Sequence, residues 1–184
     1  MIAAMPIRPV NTSLLIIVPT LNSYQLLSRF VSSLKDQSWT GWRVVFVDGP
    51  SSLQHRKWLE SCCIDDFRFQ WIEQSPHEPG IFGAMNQGFS LAGPADWLLF
   101  WGSDDWAASP SVLGSVVKAI EFYSSPPDLL VCQGRYVNAR SGVFSRLSIF
   151  VPKACSPLLI IAIFFFSVLL HLIRPHCLGP VPES

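Results

Sequence analysis

The stretch Leu14-Leu15-Ile16-Ile17-Val18-Pro19-Thr20-Leu21-Asn22 decides the reading of this chain. A short, continuous apolar run that ends at a proline is the pattern of a strand buried on both faces, as in a parallel sheet. Both faces of such a sheet need covering helices, so the flanking sequence should alternate helix with strand. The run is too short for the apolar core of a secretory signal, and no small-residue cleavage site follows it.

The flanks do alternate. Leu26, Leu27, Phe30, Val31 and Leu34 recur at helical spacing, behind Asn22 or Ser23 as the cap. Trp42–Val47 reads as a second strand, closed by the turn sequence Asp48-Gly49-Pro50. Leu53–Ser61 is expected as a short helix, and Phe67, Phe69 and Trp71, alternating with Arg68, Gln70 and Glu73, as a half-exposed third strand. Ile81, Met85 and Phe89 mark another amphipathic helix, and Trp97–Trp101 a fourth strand that runs into Gly102-Ser103-Asp104-Asp105. Pro110 stands at a helix start, with Val112, Leu113, Val116, Val117 and Ile120 behind it. Leu129–Cys132 is a fifth strand, and Tyr136–Phe144 a hairpin about Ala139-Arg140-Ser141-Gly142. Residues 1–145 therefore read as one α/β domain, a mostly parallel sheet flanked by helices.

Composition removes several function classes. The chain has 184 residues, with 13 Lys+Arg against 13 Asp+Glu, so no basic excess exists to neutralise nucleic-acid phosphates. A hydrophobic fraction of 49% excludes disorder. Five cysteines without a CxxC pair or a His/Cys cluster read as free thiols of a reducing, cytoplasmic compartment. The adjacent Cys62 and Cys63 are read as inert core or surface thiols in preference to a redox or metal feature.

Charged residues make up 14% of the chain and are unevenly placed, residues 1–145 carrying 22 of the 26. The rest, 146–184, is a hydrophobic tail. From Ala154 to Ile173 there is no charged side chain, and a helix of about 20 residues spans roughly 30 Å, the thickness of a bilayer core. This block is expected to be a transmembrane helix, about 154–173, which would tether the protein to a membrane. A buried element of the domain, or a truncated or out-of-frame end of a longer protein, are the other readings. Lys153 and Arg174 bracket the block evenly, so charge gives it no orientation.

In open α/β sheets ligands bind beyond the carboxyl ends of the strands. The first strand leaves through Pro19-Thr20-Leu21-Asn22, the second through Asp48, and the fourth through Ser103-Asp104-Asp105. Adjacent carboxylates after an apolar strand suit a hard divalent cation that also takes phosphate oxygens, although Asp pairs also cap helices and close turns. A dinucleotide-binding enzyme is disfavoured, because no GxGxxG follows the first strand.

Taken in order, "IIVPTLN" (16–22), "VVFVDG" (44–49), "GIFGAMNQG" (80–88) and "WLLFWGSDDW" (97–106) resemble the nucleotide-sugar-binding half of family 2 glycosyltransferases, which have the GT-A fold. The resemblance covers roughly residues 13–140. It implies a metal-dependent, inverting transfer of a sugar from a nucleotide-diphospho-sugar donor to a glycan or lipid-linked acceptor. By this resemblance Pro19, Thr20, Asn22 and Asp48 hold the nucleoside, Asp104 meets the ribose or stands behind the metal, and Asp105 binds Mg²⁺ or Mn²⁺. Glu78 and Asn86 are expected to contact the donor; a polar cluster at a helix start is the alternative. Trp101 and Trp106 are read as core or rim packing in preference to sugar stacking.

The sequence also departs from the family pattern. Gly49 replaces the second of two acids after strand two, and Gly83 stands where an acid is common. Between Asp128 and Glu183 there is no Asp or Glu, so that stretch offers no carboxylate base for the acceptor hydroxyl and no catalytic residue is assigned. The catalytically impaired, nucleotide-sugar-binding remnant of such an enzyme is the alternative function.

Overall fold

The computed structural model describes residues 12–122, 129–131, 135–137, 144–146 and 171–173. In chain order these form β1 (Ser13–Thr20), α1 (Tyr24–Lys35), β2 (Trp42–Asp48), α2 (Leu53–Asp65), β3 (Phe69–Glu73), α3 (Gly80–Phe89), β4 (Asp96–Phe100), α4 (Val112–Phe122), β5 (Leu129–Val131), β6 (Arg135–Val137), β7 (Phe144–Arg146) and β8 (His171–Ile173). The main sheet has the order β3-β2-β1-β4-β8-β5, and β6 pairs with β7 in a separate hairpin. β1, β2, β3 and β4 are mutually parallel, and β8 is antiparallel to both β4 and β5.

The alternation of the strands sorts the core into two layers. Leu14, Ile16, Val18, Val44 and Phe46 face α1, α2 and α4, where Phe30, Leu34, Leu59, Leu113 and Val117 meet them. Leu15, Ile17, Val45, Val47, Leu98 and Phe100 face α3 on the other side. Each fully buried Leu, Ile or Phe contributes about 1.5–3 kcal/mol. The apolar run of β1 is thus covered on both faces, and it is the centre of the sheet.

The sequence places α3 correctly, and Met85 and Phe89 do pack against the core, but Ile81 does not. Ile81 is exposed, while Gly83, Ala84 and Gly88 are the buried positions. A β-carbon at Gly88 would collide with Ile17 Cγ2, so the helix lies on β1 through its small residues, with Met85 and Phe89 packed at the sides.

The element ends shift by a few residues. α2 continues to Asp65, β3 begins at Phe69 with Phe67 exposed, and α4 begins two residues after Pro110. The 136–144 hairpin is present, with Val137 opposite Phe144.

The expected transmembrane helix is not supported. Its last three residues are β8, inserted between β4 and β5, and among the described residues no helix is long and apolar enough to cross a membrane. Residues 154–170 lie outside the described residues. An apolar run that matches a bilayer in length also matches strands buried in a sheet, and hydropathy does not separate the two.

The chain passes from β1 outward to β2 and β3, then returns to the opposite side of β1 at β4. The connections that follow the parallel strands β1 and β4 therefore run to opposite sides of the sheet, the topological switch point at which such sheets open a crevice.

Candidate functional site

The register pairs Thr20 with Asp48 and Asp48 with Glu73, so the exits of β1, β2 and β3 share one edge. Asp48 is buried, and its Oδ1 accepts from Thr20 Oγ1 (3.0 Å) and Ser51 Oγ (2.6 Å). His55 Nε2 lies 3.0 Å from the same oxygen. Asp48 Oδ2 is buried without a hydrogen bond, and Arg56 Nε stands 3.8 Å from it. The Arg56 guanidinium also pairs with Glu73 at 2.5 Å. His55 has no exposed surface; burial lowers its pKa, against the raising influence of Asp48.

Asn22 adopts a left-handed φ of 52°, which Asn tolerates better than most residues. There its backbone N–H donates to Ser51 Oγ (2.9 Å) and its Oδ1 accepts from Ser52 N (2.8 Å). It ties the β1 exit to the β2 exit and does not cap α1, whose N-cap position is Ser23 without a side-chain hydrogen bond. Pro19 is half-buried beside Thr20 at the end of β1.

A cavity of about 230 Å³ opens beside Asp48, lined also by Gly49, Pro50, Arg56, Glu73, Gln74, Pro79 and Gly80. Gln74 Nε2 shapes its far wall by donating to the Glu78 and Gly80 carbonyls, both at 2.6 Å. Glu78 is exposed next to the lining residue Pro79, and a β-carbon at Gly83 would run into the Glu78 carbonyl oxygen. This explains why position 83 lacks the acid of the family pattern: the 78–80 loop fills the space. Asn86 is exposed on α3, on the outward face with Ile81 and Phe82.

At the other side of the switch point, Trp101 N donates to Ile17 O (3.0 Å) and Asp105 N to Gly102 O (3.2 Å), turning the chain over the end of β4. The turn brings both carboxylates over Gly102: a β-carbon there would stand 2.7 Å from Asp105 Oδ2 and 3.0 Å from Asp104 Oδ1. Burial first, and then the Asp104 charge, push the Asp105 carboxyl up to about 6, against the Gly102 backbone hydrogen bond. Asp104 is exposed and Asp105 half-buried. Among the described residues no group of three or more His, Cys, Asp or Glu is gathered for a metal. The pair is an all-oxygen, two-carboxylate set, which fits a hard cation that takes its remaining ligands from elsewhere.

α1 holds this loop. Arg29 stacks on Trp106 at 3.4 Å, Ala107 N donates to Ser33 Oγ (2.9 Å), and Trp101 meets Phe30 edge-on at 5.5 Å. Trp101 and Trp106 are packing residues, as expected. Cys62 and Cys63 are free, and burial raises their thiols to about 11 and about 12, which keeps them inert.

The sequence reading missed Ser51, His55, Arg56 and Gln74. Ser51 had a local signal, the Asp48-Gly49-Pro50-Ser51 turn. The others gain meaning only from contacts made across the fold.

Residues 15–179 match the family model described as Glycosyl transferase family 2. A PGL/p-HBAD biosynthesis glycosyltransferase of Mycobacterium tuberculosis is 30% identical over 115 residues, 62% of this chain and 44% of the relative. A protein of the same description from Mycobacterium bovis matches equally. The match thus spans less than half the length of these curated relatives. Among solved structures, TarS of S. aureus in complex with UDP-GlcNAc aligns with a TM-score of 0.66 at 22% identity, covering 90% of this chain and 46% of that one. Mannosyltransferase PcManGT from Pyrobaculum calidifontis, in complex with GDP-Man and Mn²⁺, aligns with a TM-score of 0.51 at 19% identity, covering 57% and 31%. At these identities the likeness is one of fold.

Proposed function

This chain belongs to glycosyl transferase family 2, and from that premise we propose that it binds a nucleotide-diphospho-sugar and passes the sugar to an acceptor hydroxyl. The observation that carries the reading is the convergence of Asp104 Oδ1 and Asp105 Oδ2 over Gly102, beside the switch point of a GT-A-like sheet. Pro19, Thr20, Asn22 and Asp48 are the nucleoside side of the site, with the cavity beside Asp48 available to the base. Asp104 serves the ribose, Asp105 the metal, and Glu78 and Asn86 the rest of the donor. The fold is shared with proteins whose structures hold UDP-GlcNAc, or GDP-Man with Mn²⁺, which supports a nucleotide-sugar donor and a divalent cation here.

Mg²⁺ or Mn²⁺ on Asp105 would offset the negative charge that gathers on the departing diphosphate. The protein supplies the oxygen ligands and the packed loop that holds them. Inversion at the anomeric carbon, a glycan or lipid-linked acceptor and a cytoplasmic location complete the proposal.

A second reading, donor binding without transfer, draws on the lack of any Asp or Glu between Asp128 and Glu183. Incubating the protein with Mn²⁺ and UDP-GlcNAc, GDP-Man or a dTDP-sugar, and measuring free sugar, separates the two. Slow hydrolysis supports a working donor site. Binding without release supports the second reading, and the absence of binding to every donor contradicts both.

A further inference from the structure

We infer that His55 is a positioning residue of the donor site: its imidazole fixes the Asp48 carboxylate so that Oδ1 belongs to the protein and Oδ2 is left for the bound nucleotide. The inference rests on the donor-site reading above and adds a residue that reading does not contain.

The asymmetry of Asp48 carries it. Oδ1 is approached from three elements, by Thr20 of β1 (3.0 Å), Ser51 of the following turn (2.6 Å) and His55 of α2 (3.0 Å). Oδ2 is just as buried and has no hydrogen bond, with only the Arg56 Nε at 3.8 Å. A carboxylate buried for stability alone would share its donors between both oxygens, because each unpaired oxygen costs desolvation. Here the pairing is concentrated on one oxygen, and the residue with the free oxygen lines the 230 Å³ cavity.

His55 completes this arrangement at a cost to itself. Its ring is fully buried, neither Nδ1 nor Nε2 makes a well-directed hydrogen bond, and Tyr24 meets it edge-on with centroids 6.2 Å apart. An apolar side chain would fill the same space without an unpaired nitrogen. What the imidazole adds is Nε2 standing 3.0 Å from Asp48 Oδ1, off the line of a well-formed hydrogen bond, a contact that favours the Nε2–H tautomer. Ser51 is in turn held by Asn22 N at 2.9 Å, so the carboxylate is braced from β1, the turn and α2 together.

Calorimetry of the full chain with UDP, GDP and dTDP in the presence of Mn²⁺ tests the role. His55→Leu is expected to weaken nucleotide binding by at least about tenfold, and His55→Gln, which keeps a donor at the same reach, to recover to within about threefold of wild type. In an Asp48→Asn background His55→Leu should add no further loss, because the imidazole acts only through that carboxylate. Wild-type binding by His55→Leu, or additive losses in the double variant, would overturn the inference. A long-range ¹H–¹⁵N spectrum of the wild type supplies a readout that needs neither the Leu variant nor a nucleotide. The Nε2–H form supports the inference and the Nδ1–H form overturns it. If the wild type binds none of the three nucleotides, the donor-site reading fails, while the tautomer still decides whether His55 holds Asp48.

Discussion

Asp105 folds its carboxylate back over Gly102, so that Oδ2 occupies the space a β-carbon at 102 would need, 2.7 Å away. The absence of a side chain at 102 is therefore a condition for the two acids to meet. The obstructing atoms are the free ends of Asp side chains, which swing aside at little energetic cost. Gly102→Ala should leave the unfolding free energy within about 1 kcal/mol of wild type while separating the carboxylates. Mn²⁺-dependent nucleotide binding is then expected to fall by about tenfold, a loss of roughly 1.4 kcal/mol. Equal affinity in the two proteins would show that the convergence has no bearing on binding.

The raised Asp105 carboxyl makes a stability prediction of definite sign. Its folded value of about 6 lies above the ordinary carboxylate value near 3.9. Between these values the native state holds more protons than the unfolded chain, so stability falls as pH rises through the window and stays lower above it. Asp105→Asn removes the penalty. Its melting temperature without metal should exceed that of wild type at pH 8, and the difference should vanish near pH 4. In the wild type, protons compete with the cation, so Mn²⁺ affinity should drop as pH falls below about 6. Thermal scans and metal titrations across pH 4–8 check both trends.

Gln37 joins the ends of two helices. Its Oε1 accepts from Leu113 N (2.9 Å) in the first turn of α4, and its Nε2 donates to Ser109 O (2.8 Å) and Ser33 O (2.9 Å). The residue is buried, so Gln37→Leu strands the Leu113 N–H and the Ser33 carbonyl and leaves Ser109 O with the Val112 N–H alone. At about 1–3 kcal/mol for an unpaired buried group, a destabilisation of about 3 kcal/mol is expected from urea unfolding. Glutamate at 37 keeps the acceptor for Leu113 and should recover part of it.

How far the sequence discloses this protein depends on whether the deciding signal is local. β1 was legible because an apolar run ending at Pro19 has few other uses, and the acid pair because it follows directly on β4. The buried face of α3 was legible only in part. Periodicity favours large apolar residues such as Ile81, whereas the contact with Ile17 is made through Gly88, where close approach selects the absence of a side chain. Asn22 illustrates the same limit. Its residue type suits a helix cap, yet its partners are Ser51 and Ser52, brought to it by the β1–β2 register. His55 gave no signal, because an imidazole on α2 acquires a role only once the strand exits lie beside it. The tail was misread at His171–Ile173 because apolarity reports burial without reporting the medium.

Calorimetry decides whether the exits of β1, β2 and β4 form a metal-assisted nucleotide site. Wild type and Asp105→Ala are titrated with UDP, GDP and dTDP, with Mn²⁺ and with EDTA. Wild type is expected to bind at least one nucleotide in the presence of Mn²⁺, and EDTA or Asp105→Ala to abolish this metal-dependent binding while Asp105→Ala remains folded. Wild type that binds none of the three, or Asp105→Ala that binds as tightly as wild type, would contradict a metal-assisted site there.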